Sequence, residues 1–283
     1  MTNFADFADD TTAGLSVTHG GTGYPVLLLH GFPQTHLAWR HVATSLAEDF
    51  HVICPDLPGY GASAPPPAGY AKRTTAATTV AMMRELGHDR FAVVGHDRGA
   101  LVAFRAALDH PDAVTHLGVL DVIPTLDNWA ALTGAVGVFG FHLYLLAQPS
   151  DLPERMIAAD PDTFFGHFLD TWAADPIPAD VRAAYLATTR TPEAIHAICE
   201  DYRAGAFVDP GHDQADRDAG RRLTMPVLAM WQDPSEVTLP FDPQQVWARW
   251  APDLRTQVLP CGHFLPEERP KDVTAAIRAL LTR

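Results

Sequence analysis

Short continuous runs of apolar residues alternate along the chain with longer segments in which apolar positions recur every three or four residues. The continuous runs predict strands that are buried on both faces, and the longer spacing predicts amphipathic helices. Strands are predicted over 25–30, 50–54, 91–94, 116–120, 227–231 and 255–259, with a weaker edge strand over 15–18. Helices are predicted over 39–46, 74–86, 98–109 and 273–281. This alternation favours a doubly wound, mostly parallel α/β sheet.

The pattern changes after Pro124, because no clear strand follows until about Tyr202. That stretch has helical spacing, is interrupted by prolines and is rich in aromatic residues, namely Phe139, Phe141, Tyr144, Phe164, Phe165, Phe168, Trp172 and Tyr185. We interpret it as a helical cap inserted into the core, although additional core helices would give the same pattern. The predicted organisation is a first core segment over 1–124, a cap over 125–205 and a second core segment over 206–283.

The composition is that of a soluble globular protein, with 47% apolar and 19% charged residues among 283. No run of eighteen apolar residues predicts a membrane span, and the first residues do not have the pattern of a signal peptide. The three cysteines, Cys54, Cys199 and Cys261, are odd in number and far apart. They predict free thiols in a reducing compartment, which we take to be the cytoplasm.

The formal net charge of −14 argues against a nucleic-acid partner, because no basic stripe is present to displace counterions. The same charge repels an anionic substrate at long range. Such a substrate would need cationic side chains close to its binding site.

The segment Gly95-His96-Asp97-Arg98-Gly99 joins a predicted strand to a predicted helix. This is the context of the nucleophile elbow, which reads G-x-S-x-G in esterases and here carries Asp97 at the serine position. A helix-capping aspartate is the plainer interpretation. In the elbow, the turn presents Asp97 at the carboxyl end of a parallel sheet, where α/β folds hold their ligands.

An aspartate nucleophile points to a particular reaction. Attack on an ester carbonyl would form a high-energy anhydride, whereas attack on a saturated carbon forms an alkyl ester that water can cleave. We therefore expect displacement at sp3 carbon, with a halide or an epoxide oxygen as the leaving group.

Three polar residues follow predicted strands in the chain order Asp97, Asp121, His263. We expect His263 to deprotonate the water that cleaves the ester on Asp97, and Asp121 to orient the imidazole. Asp233 and Glu236 follow another strand and are the alternatives to Asp121 as the acid.

The backbone N–H groups of Phe32 and Arg98 are the expected donors of an oxyanion hole for the tetrahedral centre formed on Asp97. His30 and His96 are expected to support loops beneath the site. No His pair at i, i+4 with an intervening Glu and no Cys-x-x-Cys occurs, so we expect neither a metal ion nor another cofactor.

Together these motifs resemble the fluoroacetate and haloacetate dehalogenases of the α/β-hydrolase fold, and the similarity extends to epoxide hydrolases with an aspartate nucleophile. The resemblance covers nearly the whole chain. It is carried by Gly95-His96-Asp97-Arg98-Gly99-Ala100, His30-Gly31-Phe32-Pro33-Gln34-Thr35, Asp56-Leu57-Pro58-Gly59-Tyr60-Gly61, Val119-Leu120-Asp121-Val122-Ile123-Pro124-Thr125, Asp201-Tyr202-Arg203-Ala204-Gly205 and Gly262-His263-Phe264-Leu265-Pro266-Glu267-Glu268.

The resemblance implies that Arg98 and a second arginine three residues later hold the substrate carboxylate, but the second position here is Leu101. It also implies that a His-Trp pair and a Tyr in the cap donate to the leaving halide. His142 and Tyr202 match, and Leu143 replaces the Trp. The expected substrate-binding residues are Arg98, Phe32, Leu101, Leu143 and Trp172.

Loss of one donor to a strongly hydrated fluoride costs about 1–3 kcal/mol in the transition state. The function expected from the sequence is therefore that of a haloacetate dehalogenase in which chloride or bromide leaves rather than fluoride. The alternative is an epoxide hydrolase in which His142 or Tyr202 acts as the ring-opening acid. A catalytically silent scaffold that senses a ligand is a third hypothesis.

A small molecule and water are the expected partners, without membrane association, and the resemblance implies a homodimer.

Overall fold

A computed structural model describes residue 4, residues 6–233 and residues 241–283 of the chain. In these residues eight strands form one sheet, in the spatial order β1-β2-β4-β3-β5-β6-β7-β8. The strands are β1 (Ala8–Thr12), β2 (Leu15–Gly20), β3 (Tyr24–Leu29), β4 (Phe50–Pro55), β5 (Phe91–His96), β6 (Val114–Leu120), β7 (Val227–Gln232) and β8 (Leu254–Leu259).

Strands β3 to β8 pair in parallel, whereas β1 and β2 form an antiparallel margin on one side. The predicted doubly wound, mostly parallel sheet is therefore confirmed. Prediction missed β1, whose sequence Ala-Asp-Asp-Thr-Thr is polar and mostly exposed and so has no apolar run. The strand predicted at the sheet edge over 15–18 corresponds to β2. It is not at the edge, because β1 lies outside it.

The flanking layers are helical. The described helices are α1 (Arg40–Leu46), α2 (Lys72–Glu85), α3 (Arg98–Asp109), α4 (Thr125–Ala131), α5 (Phe141–Leu146), α6 (Leu152–Ala158), α7 (Pro161–Thr171), α8 (Ala179–Ala187), α9 (Pro192–Phe207), α10 (Asp209–Asp218), α11 (Pro243–Ala248), α12 (Leu265–Glu268) and α13 (Pro270–Leu281), with 3₁₀ helices at His36–Trp39 and Gly134–Val138. None of these helices is both long enough and apolar enough to cross a membrane.

Strand β3 shows how the sheet builds a core on each face. Its alternate residues Leu27 and Leu29 join one apolar cluster, and Val26 and Leu28 join another, all with 0% exposure. Because successive side chains of a strand point to opposite faces, a strand covered on both sides must be apolar throughout. This is the physical origin of the continuous runs in the sequence.

The chain between β6 and β7 is helical wherever a regular element is assigned, from α4 to α10. This agrees with the predicted lack of strands, but the division into a core and a cap over 125–205 stays a prediction. The helices of this region lie over the carboxyl ends of the parallel strands, where Phe32, Asp97, Asp121 and His263 also lie. These four residues line or adjoin one cavity.

Candidate active site

Asp97 lies in the turn between β5 and α3 with φ +49° and ψ −118°, a left-handed backbone conformation that is rare for a residue with a side chain. Its N–H donates to the carbonyl of Leu120 on the neighbouring strand at 3.0 Å. A Cβ on Gly95 would collide with the backbone of Gly99, and a Cβ on Gly99 would collide with the backbone of His30. The two glycines therefore permit the close approach that holds Asp97 in this conformation.

The Asp97 carboxylate is held by the loop that follows β3. The Phe32 N–H donates to Asp97 Oδ1 at 2.7 Å, so one of the expected oxyanion donors already binds the candidate nucleophile. Neutral His30 supports this loop, because the Leu57 N–H donates to its Nε2 at 2.9 Å and its Nδ1–H donates to the Gly31 carbonyl at 3.0 Å. Burial lowers the pKa of His30, which agrees with a neutral ring.

The imidazole of His263 contacts Asp121, with 2.6 Å between Nδ1 and Oδ2. Burial opposes a charge on His263, but the hydrogen bond and the negative charge of Asp121 outweigh it and raise the pKa of His263. Its Nε2 is buried and has no partner among the described residues. His263 lines the same cavity as Asp97, so Nε2 is the ring atom that remains for a water molecule.

Asp121 is fixed from the far side by Gln232, whose backbone N–H and side-chain Nε2 donate to its two carboxylate oxygens at 3.1 Å each. Sequence reasoning missed Gln232, although its position at the end of β7 was a usable signal.

Of the alternative acids, Asp233 is exposed and its N–H donates to the Leu259 carbonyl at 2.7 Å, whereas Glu236 lies outside the described residues. The carboxylate against His263 is that of Asp121.

His96 lies beneath His263, with 4.7 Å between the ring centroids, and its Nε2 is 2.8 Å from the His263 carbonyl oxygen. Burial, followed by the nearby His263, lowers the pKa of His96 to about 4. A neutral His96 that donates from Nε2 therefore supports the backbone of the loop that carries His263.

Arg98 is not an isolated cation. Its Nε donates to Asp201 Oδ2 at 2.7 Å, its Nη2 donates to the Asp201 carbonyl at 2.8 Å, and its Cζ is 4.3 Å from the ring centroid of Tyr202. Asp201 also accepts from Tyr60 at 3.0 Å and pairs with buried Lys72. Sequence reasoning missed Asp201, although it directly precedes Tyr202 in a motif already singled out. Arg98 still lines the cavity, so a substrate carboxylate there would share the guanidinium with Asp201.

His142 is enclosed by aromatic rings, with centroid distances of 4.9 Å to Trp172, 5.8 Å to Tyr202 and 6.1 Å to Phe32. Burial lowers the pKa of His142 to about 3. A pKa this low favours a neutral ring near pH 7 that offers one N–H as a hydrogen-bond donor, and the role of His142 as a ring-opening acid stays a prediction. Burial and then the charge of Asp97 raise the pKa of Tyr202 well above its usual range, so its hydroxyl is protonated.

These side chains surround a cavity of about 430 Å³. Its polar end contains Asp97, Arg98, Asp121, His142, Tyr202 and His263, and Trp172 lies beside them. The remaining wall is mostly apolar and includes Leu101, Val122, Ile123, Leu132, Val136, Phe139, Leu143 and Phe241. The structure thus brings every sequence-predicted site residue to this cavity except Phe32, which reaches the site through its backbone N–H. Within the described residues, no group of three His, Cys, Asp or Glu side chains has metal-binding geometry.

Comparisons with known proteins agree with this architecture. Residues 24–270 match the family described as the alpha/beta hydrolase fold. The chain is 41% identical to a fluoroacetate dehalogenase from Burkholderia sp., with 93% of this chain and 88% of the relative covered. It is 34% identical to a soluble epoxide hydrolase from Corynebacterium sp. (strain C12), with 89% of this chain and 88% of the relative covered.

Among solved structures, the chain is similar to a Pseudomonas aeruginosa protein that is provisionally named an epoxide hydrolase. The TM-score is 0.92 at 44% identity, and the match covers 98% of this chain and 95% of the other. The resemblance inferred from the motifs is confirmed. The chain belongs to the α/β-hydrolase fold family and is a hydrolase of the type that includes fluoroacetate dehalogenases and epoxide hydrolases.

Proposed function

We propose that the protein hydrolyses small 2-haloacids, with chloride or bromide as the leaving group, through an alkyl ester on Asp97. One observation carries the proposal. A carboxylate at a sharp strand–helix turn is held by the Phe32 N–H at 2.7 Å and shares a cavity with the His263–Asp121 pair. A nucleophile, an oxyanion donor and an oriented base are the groups that a two-step covalent hydrolysis requires.

In the first step, Asp97 attacks the carbon that bears the halogen. Because Oδ1 is held by Phe32, the attacking atom in this proposal is Oδ2. A carbon–oxygen bond forms, the carbon–halogen bond breaks, and the halide leaves with the bonding electron pair. The neutral His142 N–H and the Tyr202 hydroxyl donate hydrogen bonds to the departing halide, while Arg98 binds the substrate carboxylate.

In the second step, His263 Nε2 takes a proton from a water molecule whose oxygen attacks Cγ of the Asp97 ester. The negative oxygen of the tetrahedral centre receives hydrogen bonds from the backbone N–H groups of Phe32 and Arg98. The Arg98 N–H is free to donate because Arg98 is the first residue of α3, where a backbone N–H has no carbonyl acceptor within the helix. The centre collapses, the hydroxyacid leaves with the proton from His263, and the proton of the new carboxyl group passes to solvent.

The cavity wall favours a second candidate, epoxide hydrolysis. A volume of about 430 Å³ falls in the range of roughly 300–1,000 Å³ typical of sites for drug-sized ligands, so it has room beyond a two-carbon acid. Leu101 and Leu143 add apolar surface, and Arg98 is already paired with Asp201. In this reaction Asp97 attacks a ring carbon, the bond from that carbon to the ring oxygen breaks, and the Tyr202 hydroxyl, rather than neutral His142, protonates the alkoxide. The proton released when water cleaves the ester restores the Tyr202 hydroxyl.

A side-by-side assay separates the two candidates. Chloroacetate, bromoacetate and fluoroacetate are tested for halide release, and styrene oxide with a panel of aliphatic epoxides is tested for diol formation. Halide release with no diol supports the haloacid proposal. Diol formation with no halide release from any haloacetate would replace it by epoxide hydrolysis. If neither substrate class reacted or alkylated Asp97, the silent-scaffold hypothesis would stand.

We expect Asp121→Asn to lower the pKa of His263, because the substitution removes the charge that raises it. His263 acts as a base only when neutral, so hydrolysis of the alkyl-enzyme is lost as the pH falls through its pKa, which in the wild-type protein lies above the ordinary 6.5. The variant should move this acidic limb to lower pH and reduce the plateau rate by about 10³–10⁴-fold, since the imidazole also loses its orientation. Single-turnover hydrolysis measured against pH checks this result. An unmoved acidic limb would contradict the role of Asp121.

We expect Leu101→Arg to raise kcat/KM for chloroacetate by about tenfold, because it places a second guanidinium beside Arg98 for the substrate carboxylate. The same change should lower kcat/KM for styrene oxide, since it adds charge to an apolar wall. Leu101→Met is the matched control, as it keeps volume and polarity. An unchanged or lower value for chloroacetate would point to a substrate without a carboxylate.

The cytoplasmic setting and the homodimer remain predictions. Cys54, Cys199 and Cys261 are free and buried, which supports a reducing compartment. We also propose residues 125–205 as the cap, on the basis of the helical stretch between β6 and β7.

A further inference from the structure

We infer that the side chains of Glu268 and its neighbours Glu267 and Arg269 bind the helical segment between β6 and β7 to the core. We also infer that Glu268 positions His263. We call these three residues the latch. The inference rests on the proposed function in one respect, namely that His263 is the base of the second step. It assigns to Glu268 the role of a positioning residue, which acts through His263 and does not touch the substrate.

The Glu268 carboxylate joins two loops through four backbone N–H groups. In the loop around His263, the Gly262 N–H donates to Oε2 at 2.9 Å and the Phe264 N–H donates to Oε1 at 3.2 Å. In the loop after α7, the N–H groups of Ala174 and Asp175 donate to Oε2 at 2.9 and 3.2 Å. Hydrogen bonds to a charged acceptor are the strong kind, so one ionised side chain holds both loops.

The neighbours of Glu268 reach the same helical region. Arg269 Nη1 donates to the Asp175 carboxylate at 2.9 Å, and its Nη2 donates to the Pro260 carbonyl at 2.7 Å. The buried Glu267 carboxylate accepts from the Tyr185 hydroxyl on α8 and pairs with Arg40 Nη1 at 2.5 Å. Three consecutive residues thus connect the core to the helices above it, directly after the loop that carries His263.

The two loops also meet without Glu268. The His263 N–H donates to the Trp172 carbonyl at 2.8 Å, and the two side-chain rings are 4.9 Å apart at their centroids. A Cβ on Gly262 would collide with the Trp172 carbonyl and lie 2.5 Å from the Ala174 nitrogen. The loops are therefore in direct backbone contact, and a shift of either one moves the His263 backbone.

This arrangement affects the two chemical steps differently. Asp97 is held by β5, α3 and the loop that carries Phe32, none of which the Glu268 carboxylate touches. Formation of the ester therefore depends on Glu268 only through Trp172 at the cavity wall, and so less than its cleavage does. Cleavage of the ester depends on His263, which the latch positions. If Glu268 had only a structural role, its substitution would change the stability of the protein without slowing ester cleavage more than ester formation.

The test is Glu268→Gln, with Glu193→Gln at the exposed start of α9 as the matched control. The amide replaces one carboxylate oxygen by an NH₂ group, which cannot accept hydrogen bonds from the backbone N–H groups. Rapid quench and intact-mass measurement with chloroacetate and with styrene oxide give the rates of ester formation and ester cleavage separately. We expect cleavage to slow about tenfold, formation to stay within twofold, and the steady-state fraction of alkyl-enzyme to rise. Equal slowing of both steps, or no change in either, would overturn the inference.

Hydrogen exchange provides a second measurement that does not need turnover. In Glu268→Gln, amides of 172–175 and of 261–264 should exchange at least tenfold faster together, while β6 keeps the wild-type rate. Acceleration in one loop alone would overturn the coupling. Glu268→Asp keeps the charge with a shorter reach and serves if the Gln variant does not fold; its effect should be intermediate. If the wild-type protein formed no ester with either substrate, the proposed function would fail, and the exchange result would still decide the latch.

Discussion

Asp97→Asn should reduce turnover by about 10⁴-fold or more, the largest loss we expect from any single substitution. The amide keeps the size of the side chain and an oxygen that can accept from the Phe32 N–H, so the turn should persist. It loses the anionic oxygen that forms the bond to carbon, and the hydrogen bonds that remain in the site cannot replace a missing nucleophile. Halide release and diol formation, each measured against wild type, check the result.

Asp112→Asn is a suitable control, because Asp112 is exposed and lies outside the cavity. A single turnover of the wild-type enzyme in heavy-oxygen water tests the same atom. One labelled oxygen should enter the Asp97 carboxylate, since water attacks the ester at Cγ. Full activity of Asp97→Asn, or label found in the product and never in Asp97, would contradict covalent catalysis by this residue.

His263→Ala is expected to separate the two half-reactions. Ester formation needs Asp97 but no base, so the variant should react once and then stop. Cleavage should slow by about 10²–10⁴-fold, the usual contribution of a general base. Intact-mass measurement after addition of chloroacetate should show one carboxymethyl group on the protein, and a peptide digest should locate it on Asp97.

Two comparisons make this experiment specific. His263→Gln fills more of the space that Ala leaves empty, so it separates loss of the base from a cavity effect. His41→Ala removes an exposed histidine and should behave like wild type. If His263→Ala turned over at the wild-type rate, or if it failed to form the ester while remaining folded, the assigned role of His263 would be wrong.

The central strands could be predicted from the sequence because strands covered on both faces, such as β3 and β5, must be apolar throughout. The parallel edge strand β8 is less apolar, with Arg255, Thr256 and Gln257 in its middle. Asp97, Asp121 and His263 all follow strand ends. The same logic failed for β1, which is polar and mostly exposed, so that strand became visible only in the structure.

The parts of the site that the sequence did not reveal depend on contacts between distant segments. Gln232 binds Asp121 across 111 residues, and Asp201 binds Arg98 across 103. No spacing rule connects such pairs, because the fold sets their distance. The lowered pKa of His142 was hidden for a related reason. Its pKa depends on how completely neighbouring rings exclude water, and a list of aromatic residues does not contain that information.

The acidic strand β1 has a consequence for how separate copies of the protein meet. An outermost strand offers its backbone groups to any second sheet that approaches, and charged side chains there oppose such pairing. Asp9 and Asp10 are adjacent on this strand and exposed, so they project to opposite faces of the sheet. Two copies that aligned these strands would bring carboxylates together on both faces, and their repulsion opposes edge-to-edge pairing of the two sheets.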